Sequence, residues 1–278
     1  MHAHRLDPYL EINGVHLRYR DEGRGRAVLL IHGWTLDLDM WGEQAAALAS
    51  EFRVVRLDRR GFGLSSGLPS PAGDQADLLA LCEHLGLDSV ALVGMSQGAG
   101  VVLEFARSYP QMISCIVLDG PPQLAAPDAT FGSPDIPYMH YRELAQTQGI
   151  EAFRREWSGH ALARLRTPNP DARALLAHMI ARYRGGDLID REAPAAGRKF
   201  AGFGSVHNPV LVINGEFDLE SRKRFARQLS GLLRRIEYAE ISDAGHLCNL
   251  DNPRAYNETL RRFLERHTIP SITHWTSP

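Results

Sequence analysis

The chain has 278 residues and a formal net charge of −2, with 31 Lys and Arg almost balancing 33 Asp and Glu. That length can bury a large core and fits one α/β domain with an insertion. The charge balance argues against nucleic acid or an anionic membrane as partner, the longest apolar runs are too short to span a bilayer, and Cys82, Cys115 and Cys248 show no metal-ligand spacing.

In chain order, a hairpin is predicted first, with alternating runs at 10–12 and 15–19 around Asn13-Gly14. A strand at 28–31, a helix near 41–50 and a strand at 53–57 follow. A helix near 73–85, a strand at 90–93, a helix at 99–106 and a strand at 115–118 close this half. Short apolar runs separated by helices mean parallel strands covered on both faces. From 121 to 205 the alternation stops. Pro121, Pro122, Pro127, Pro134 and Pro137 break the beginning, and helical patterns appear at 141–148, 150–165 and 171–184. The alternation resumes with a strand at 209–214, a helix near 220–232, a strand at 236–241 and a helix from 253 to about 266, before a polar tail at 268–278. The expected fold is α/β: a mostly parallel, eight-stranded sheet flanked by helices. Residues 1–120 and 206–278 form its core domain, and 121–205 form a helical cap inserted after the sixth strand.

Gly94-Met95-Ser96-Gln97-Gly98 lies between a strand and a helix. A serine on such a turn is held in a strained conformation that lifts its hydroxyl clear of the sheet, and side chains at the flanking glycines would clash. A hydroxyl needs a base to become a nucleophile. His246, in Asp243-Ala244-Gly245-His246-Leu247, follows a strand and is the base candidate. Asp218 ends the run from Pro209 and is the acid candidate that would fix the imidazole tautomer. Asp119 also ends a strand and is its rival. Glu216 reads as a solvated or bracing carboxylate, and Cys248 as a small buried hydrophobe.

Four features carry a resemblance: His32-Gly33-Trp34 after a strand, Asp58 to Ser65, the serine turn, and Asp218 with His246 in the order Ser, Asp, His. Together they span about residues 10 to 266. The chain resembles the α/β-hydrolase-fold superfamily, specifically a cap-domain serine hydrolase of carboxylesterase or enol-lactonase type. The resemblance implies a catalytic triad of Ser96, Asp218 and His246, and an oxyanion hole made by the backbone N–H groups of Trp34 and Gln97. It implies no cofactor and no metal. His32 and the loop 58–65 are expected to brace the site rather than react.

The expected reaction is acyl transfer from an ester or lactone, with a small-molecule substrate. Candidate pocket residues are Trp34, whose indole could equally just fill space, and Phe131, Tyr138, Met139, Tyr141, Trp157 and Phe203, each of which taken singly reads first as part of the cap's own small core. Two other readings stand. One is a C–C bond hydrolase of β-diketone-like ring-cleavage products, for which the Gly-Pro-Gly extension after His-Gly is missing. The other is a small-molecule receptor or non-hydrolytic lyase on the same fold. The first residues lack the apolar core of a signal peptide and the cysteines form no disulfide framework, so a cytoplasmic location is expected. A homo-oligomer is compatible with the sequence.

Overall fold

The computed structural model describes residues 7–12, 14–123, 135–190 and 206–268. The first two strands, β1 (Tyr9–Ile12) and β2 (Val15–Gly23), pair antiparallel, with Ile12 opposite Val15. Gly14, the described residue between them, has φ 74°, the left-handed backbone a tight hairpin turn needs. Then come β3 (Arg26–Ile31), a 3-10 turn at Leu38–Trp41, α1 (Gly42–Leu48), β4 (Phe52–Leu57), α2 (Pro71–Leu85), β5 (Val90–Met95), α3 (Gln97–Ser108) and β6 (Ile113–Asp119). Among the described residues, four helices stand between β6 and the next strand: α4 (Tyr138–Gln148), α5 (Ile150–Trp157), α6 (Pro170–Arg182) and α7 (Gly186–Ile189). The chain closes with β7 (Val210–Gly215), α8 (Glu220–Leu229), β8 (Ile236–Ile241), α9 (Cys248–Asp251) and α10 (Pro253–His267).

The sheet has eight strands in the order β1-β2-β4-β3-β5-β6-β7-β8. It is mixed: β2 runs antiparallel to both β1 and β4, and the remaining pairs are parallel. The central strands are apolar throughout because both faces are covered. Val28 and Leu30 of β3 enter one core cluster while Leu29 and Ile31 enter the other, the period of two that a strand imposes. The first cluster runs without a break from Val28 and Trp41 under the sheet to Tyr141, Phe153 and Tyr183 of the inserted segment.

Some element limits differ from expectation. The single helix expected over 150–165 stops at Trp157. Ser158 and Gly159 follow, a poor continuation, and His160 caps a separate 3-10 turn at Ala161–Ala163. The pattern at 171–184 corresponds to α6, which ends at Arg182, and a short helix not expected from sequence, α7, follows beyond Gly185, whose φ of 69° is left-handed. The strongly apolar strands agree with the sequence to within two residues.

Candidate active site

Strand β5 delivers Ser96 on its turn into α3. The residue has φ 51° and ψ −114°, a conformation that costs about 1–3 kcal/mol and needs surrounding support. A Cβ on Gly98 would stand 2.5 Å from the Ile31 carbonyl oxygen, and one on Gly94 would stand 2.4 Å from that of Gly98. No side chain fits at either position, so both glycines are needed. The Ser96 N–H donates to Asp119 O at 2.7 Å, which ties the turn to β6.

His246 and Asp218 come from loops at the ends of β8 and β7. Their loops are joined directly, the Phe217 N–H donating to Ala244 O at 2.8 Å. The His246 imidazole meets Asp218 through Nδ1 and Oδ1 at 3.0 Å, with both side chains buried. Asp218 also accepts from Asn214 Nδ2 and from the Leu219 N–H, each at 2.8 Å. Burial works against its charge, but the His246 imidazole, the Asn214 amide and the Arg222 guanidinium outweigh this and hold the carboxyl below its ordinary value. Because an ionised carboxylate only accepts, Nδ1 carries a proton, and in the neutral imidazole this tautomer leaves the lone pair on Nε2. Ser96 and His246 line the same cavity, with Trp34, Trp157 and an apolar wall that includes Leu36, Ile136, Leu162 and Leu247.

Asp119 does not reach His246 by a hydrogen bond. Its Oδ1 accepts from the Cys248 thiol at 3.1 Å. Burial pushes this carboxyl up to about 7, with the Cys248 bond opposing and the Asp218 charge adding. The Tyr256 hydroxyl is nearby, but neither it nor Asp119 Oδ2 closes into a hydrogen bond of ordinary geometry. Glu216 is exposed and accepts from the Asp243 N–H at 3.0 Å, a bracing contact.

His32 is fully buried and held at both nitrogens. Nδ1–H donates to Gly33 O at 2.8 Å, and Nε2 accepts from the Arg59 N–H at 2.9 Å. Burial and the Arg59 charge lower it to about 3, so it stays neutral and acts as a strut. The Arg59 side chain donates to Gln97 Oε1 at 2.8 Å and pairs with Asp74. The Asp58 carboxylate accepts from the N–H groups of Leu38 and Leu64, at 2.7 and 2.8 Å. The loop 58–65 therefore ties Leu38, His32 and Gln97 together beside the serine turn.

The expected pocket residues divide. Trp34 and Trp157 line the cavity. Tyr138 and Tyr141 are buried, but they pack on the Trp34 ring at 6.1 and 6.4 Å and form no part of the described cavity wall. Met139 is 61% exposed, so its assignment to the pocket is corrected. The reason is helical phase: in α4 residues 138, 141 and 145 share the buried face, and 139 is turned away from it. Phe131 and Phe203 lie outside the described residues.

Sequence reasoning missed several supports. Gly120 has φ +53°, and a Cβ there would stand 2.6 Å from His246 Cε1. Arg222 is 1% exposed and donates to Gly120 O at 3.1 Å and to Asp135 Oδ2 at 2.8 Å. Asp251 accepts from the Gly245 N–H at 2.8 Å and from Arg166 N–H at 2.7 Å, so it joins the His246 loop to the inserted segment. The available signals were slight: a glycine directly after a strand-ending aspartate, and Asn214 beside Gly215.

Among the described residues, no helix is long and apolar enough to cross a membrane. Comparison with known proteins agrees with the fold. Over 94% of this chain and 99% of the relative, the sequence is 27% identical to a pyrrolizixenacetamide deacetylase of Xenorhabdus hominickii. An esterase structure from Thermogutta terrifontis superposes with a TM-score of 0.74 at 28% identity, covering 94% of this chain and 97% of that one. The enol-lactonase of Burkholderia xenovorans LB400 gives a TM-score of 0.74 at 26% identity, over 93% and 100% of the two chains. A family model described as the alpha/beta hydrolase fold matches residues 26–253. Sheet order, serine turn and family match together make this chain a member of the α/β-hydrolase-fold family.

Proposed function

We propose that the protein is a serine hydrolase that cleaves a carboxylic ester or lactone through an acyl-enzyme. The observation that carries this reading is the buried Asp218–His246 hydrogen bond at 3.0 Å beside a cavity shared with the strained Ser96. Ser96 Oγ attacks the carbonyl carbon as His246 Nε2 takes its proton, and Asp218 stabilises the imidazolium. The backbone N–H groups of Trp34 and Gln97 receive the charge that develops on the carbonyl oxygen. The C–O bond to the leaving group breaks, and His246 returns the proton to that alkoxide. A water then gives a proton to His246 and attacks the acyl carbon, which releases the acid and regenerates Ser96.

The inserted helices serve as the cap of this site, with residues 1–120 and 206–278 as the core domain. The apolar cavity wall supports a neutral substrate of modest size. The Thermogutta esterase and the Burkholderia enol-lactonase are consistent with such chemistry. The cysteines are free and buried, which suits a reducing compartment, and the proposed location is the cytoplasm.

Rapid mixing with p-nitrophenyl acetate tests the reading. A burst of nitrophenolate stoichiometric with enzyme is expected, followed by turnover, and Ser96→Ala is expected to abolish both. Binding of small esters without a burst or turnover would identify a receptor instead.

A further inference from the structure

The loop after β3 is held from outside the sheet. Trp34 Nε1 donates to Asp187 Oδ2 at 2.8 Å and lies 3.1 Å from the Tyr183 hydroxyl. The Tyr183 hydroxyl itself donates to Asp187 Oδ1. Asp187 is 6% exposed and Tyr183 is 1% exposed. The neighbouring Thr35 has φ 63°, an outlier for a β-branched residue, and its Oγ1 accepts from Trp157 Nε1 at 2.8 Å. Two adjacent side chains of the loop are therefore hydrogen-bonded to the inserted segment, on either side of one strained peptide.

The segment that supplies Asp187 is itself fastened to the core. Arg182 pairs with Asp37 at 2.7 Å and Asp39 at 2.6 Å. Arg184 donates to Gly63 O and Ser65 O. Tyr138 OH donates to Asp187 O at 2.7 Å.

Aromatic packing alone does not require this arrangement. The Trp34 indole already lies among Phe153, Trp157 and Tyr183, at ring-centroid distances of 5.4, 4.9 and 5.9 Å. A carboxyl group inside that cluster carries a desolvation cost that an apolar residue of similar size would avoid. What the carboxylate adds is direction. Rotation of an aromatic ring about χ2 is soft, and a fixed acceptor at Nε1 removes that freedom.

We propose that Asp187, with Tyr183, is a positioning residue for the oxyanion hole: through the Trp34 indole it holds the Trp34 backbone N–H toward the reacting carbonyl oxygen. This rests on the acyl-enzyme reading above. The inserted helices then help to build the rate-enhancing part of the site as well as covering it.

The test compares p-nitrophenyl acetate with its thiono analogue, in which sulfur replaces the carbonyl oxygen and accepts hydrogen bonds poorly. Misplacing a catalytic group by about 1 Å can cost on the order of a hundredfold, so Asp187→Asn and Tyr183→Phe should each lower kcat on the oxygen ester about ten- to a hundredfold, with KM nearly unchanged. The thionoester should slow far less, so the oxygen-to-sulfur rate ratio collapses. Trp34→Phe should reproduce the loss, and combining it with Asp187→Asn should add nothing further. Should Asp187→Asn not fold, Tyr183→Phe and Trp34→Phe give the same reading. Equal slowing of both esters, or additive losses, would overturn the proposal while leaving the acyl-enzyme intact. Absence of a burst in the wild-type protein would overturn both.

Discussion

The Asp218–His246 pair sits in a nest of side chains that leave little room for change. Gly120 is the sharpest case. Its left-handed backbone and the 2.6 Å approach of a Cβ to His246 Cε1 mean that Gly120→Ala must displace the imidazole. Its kcat on p-nitrophenyl acetate is expected to fall about a hundredfold, and a variant within twofold of wild type would contradict that placement. Asp119 makes a pH-dependent prediction. A carboxyl raised from 3.8 to about 7 binds its proton more tightly in the folded than in the unfolded state. Its contribution to stability is therefore lost as pH rises through that window. Asp119→Asn removes the dependence, so urea unfolding should show the variant gaining on wild type between about pH 5 and about pH 8, by a few kcal/mol at about 1.4 per tenfold in proton affinity. A constant difference across that range would mean that Asp119 titrates as an ordinary carboxylate. Ser96, Asp218 and His246 could be picked out because each lies just beyond a strand, in a recognisable order. Asp187 could not, since its partner Trp34 is 153 positions away and nothing local marks the contact.

Elements set by strong local signals were read well, and those set by tertiary contact were not. Strand β8 has the limits its alternating apolar and charged residues suggest. Helix α10 begins at Pro253 behind Asn252, whose Oδ1 accepts from the Ala255 N–H at 3.2 Å while Nδ2 donates to Ser242 O at 3.0 Å. Loss of such a cap costs about 1 kcal/mol. Asn252→Ala should therefore lower the urea midpoint modestly and leave kcat unchanged, and a large loss of activity would show that the cap also steadies the His246 loop. The short α7 escaped sequence reasoning because four residues carry too little periodicity to be seen. Likewise α4 was placed, but its phase was not, and Met139 was assigned inward when only its neighbours Tyr138 and Tyr141 are buried.

Across the whole molecule, the sheet domain and the inserted segment share one continuous apolar cluster and are joined by the largely buried ion pairs Arg182–Asp37 and Arg222–Asp135. They are expected to unfold together. Far-UV circular dichroism and tryptophan fluorescence should give coincident urea transitions. An earlier fluorescence transition, with the sheet signal intact, would show that the inserted helices melt independently. The overall architecture was legible from alternation alone. The continuity of the two parts was not, because it depends on rings and charges that meet only after folding.

The fastening of residues 182–187 to the loops at 34–39 and 63–65 bears on redesign. Chimeras that splice a foreign segment between β6 and β7 to gain a new preference would discard Asp187, Tyr183 and Trp157 together. Their recipient scaffold would retain Trp34 and Thr35 without the donors and acceptors they were matched to. Grafts that travel with a compatible 34–39 loop should keep their turnover, and grafts that leave the native loop behind should accept new substrates but process them slowly.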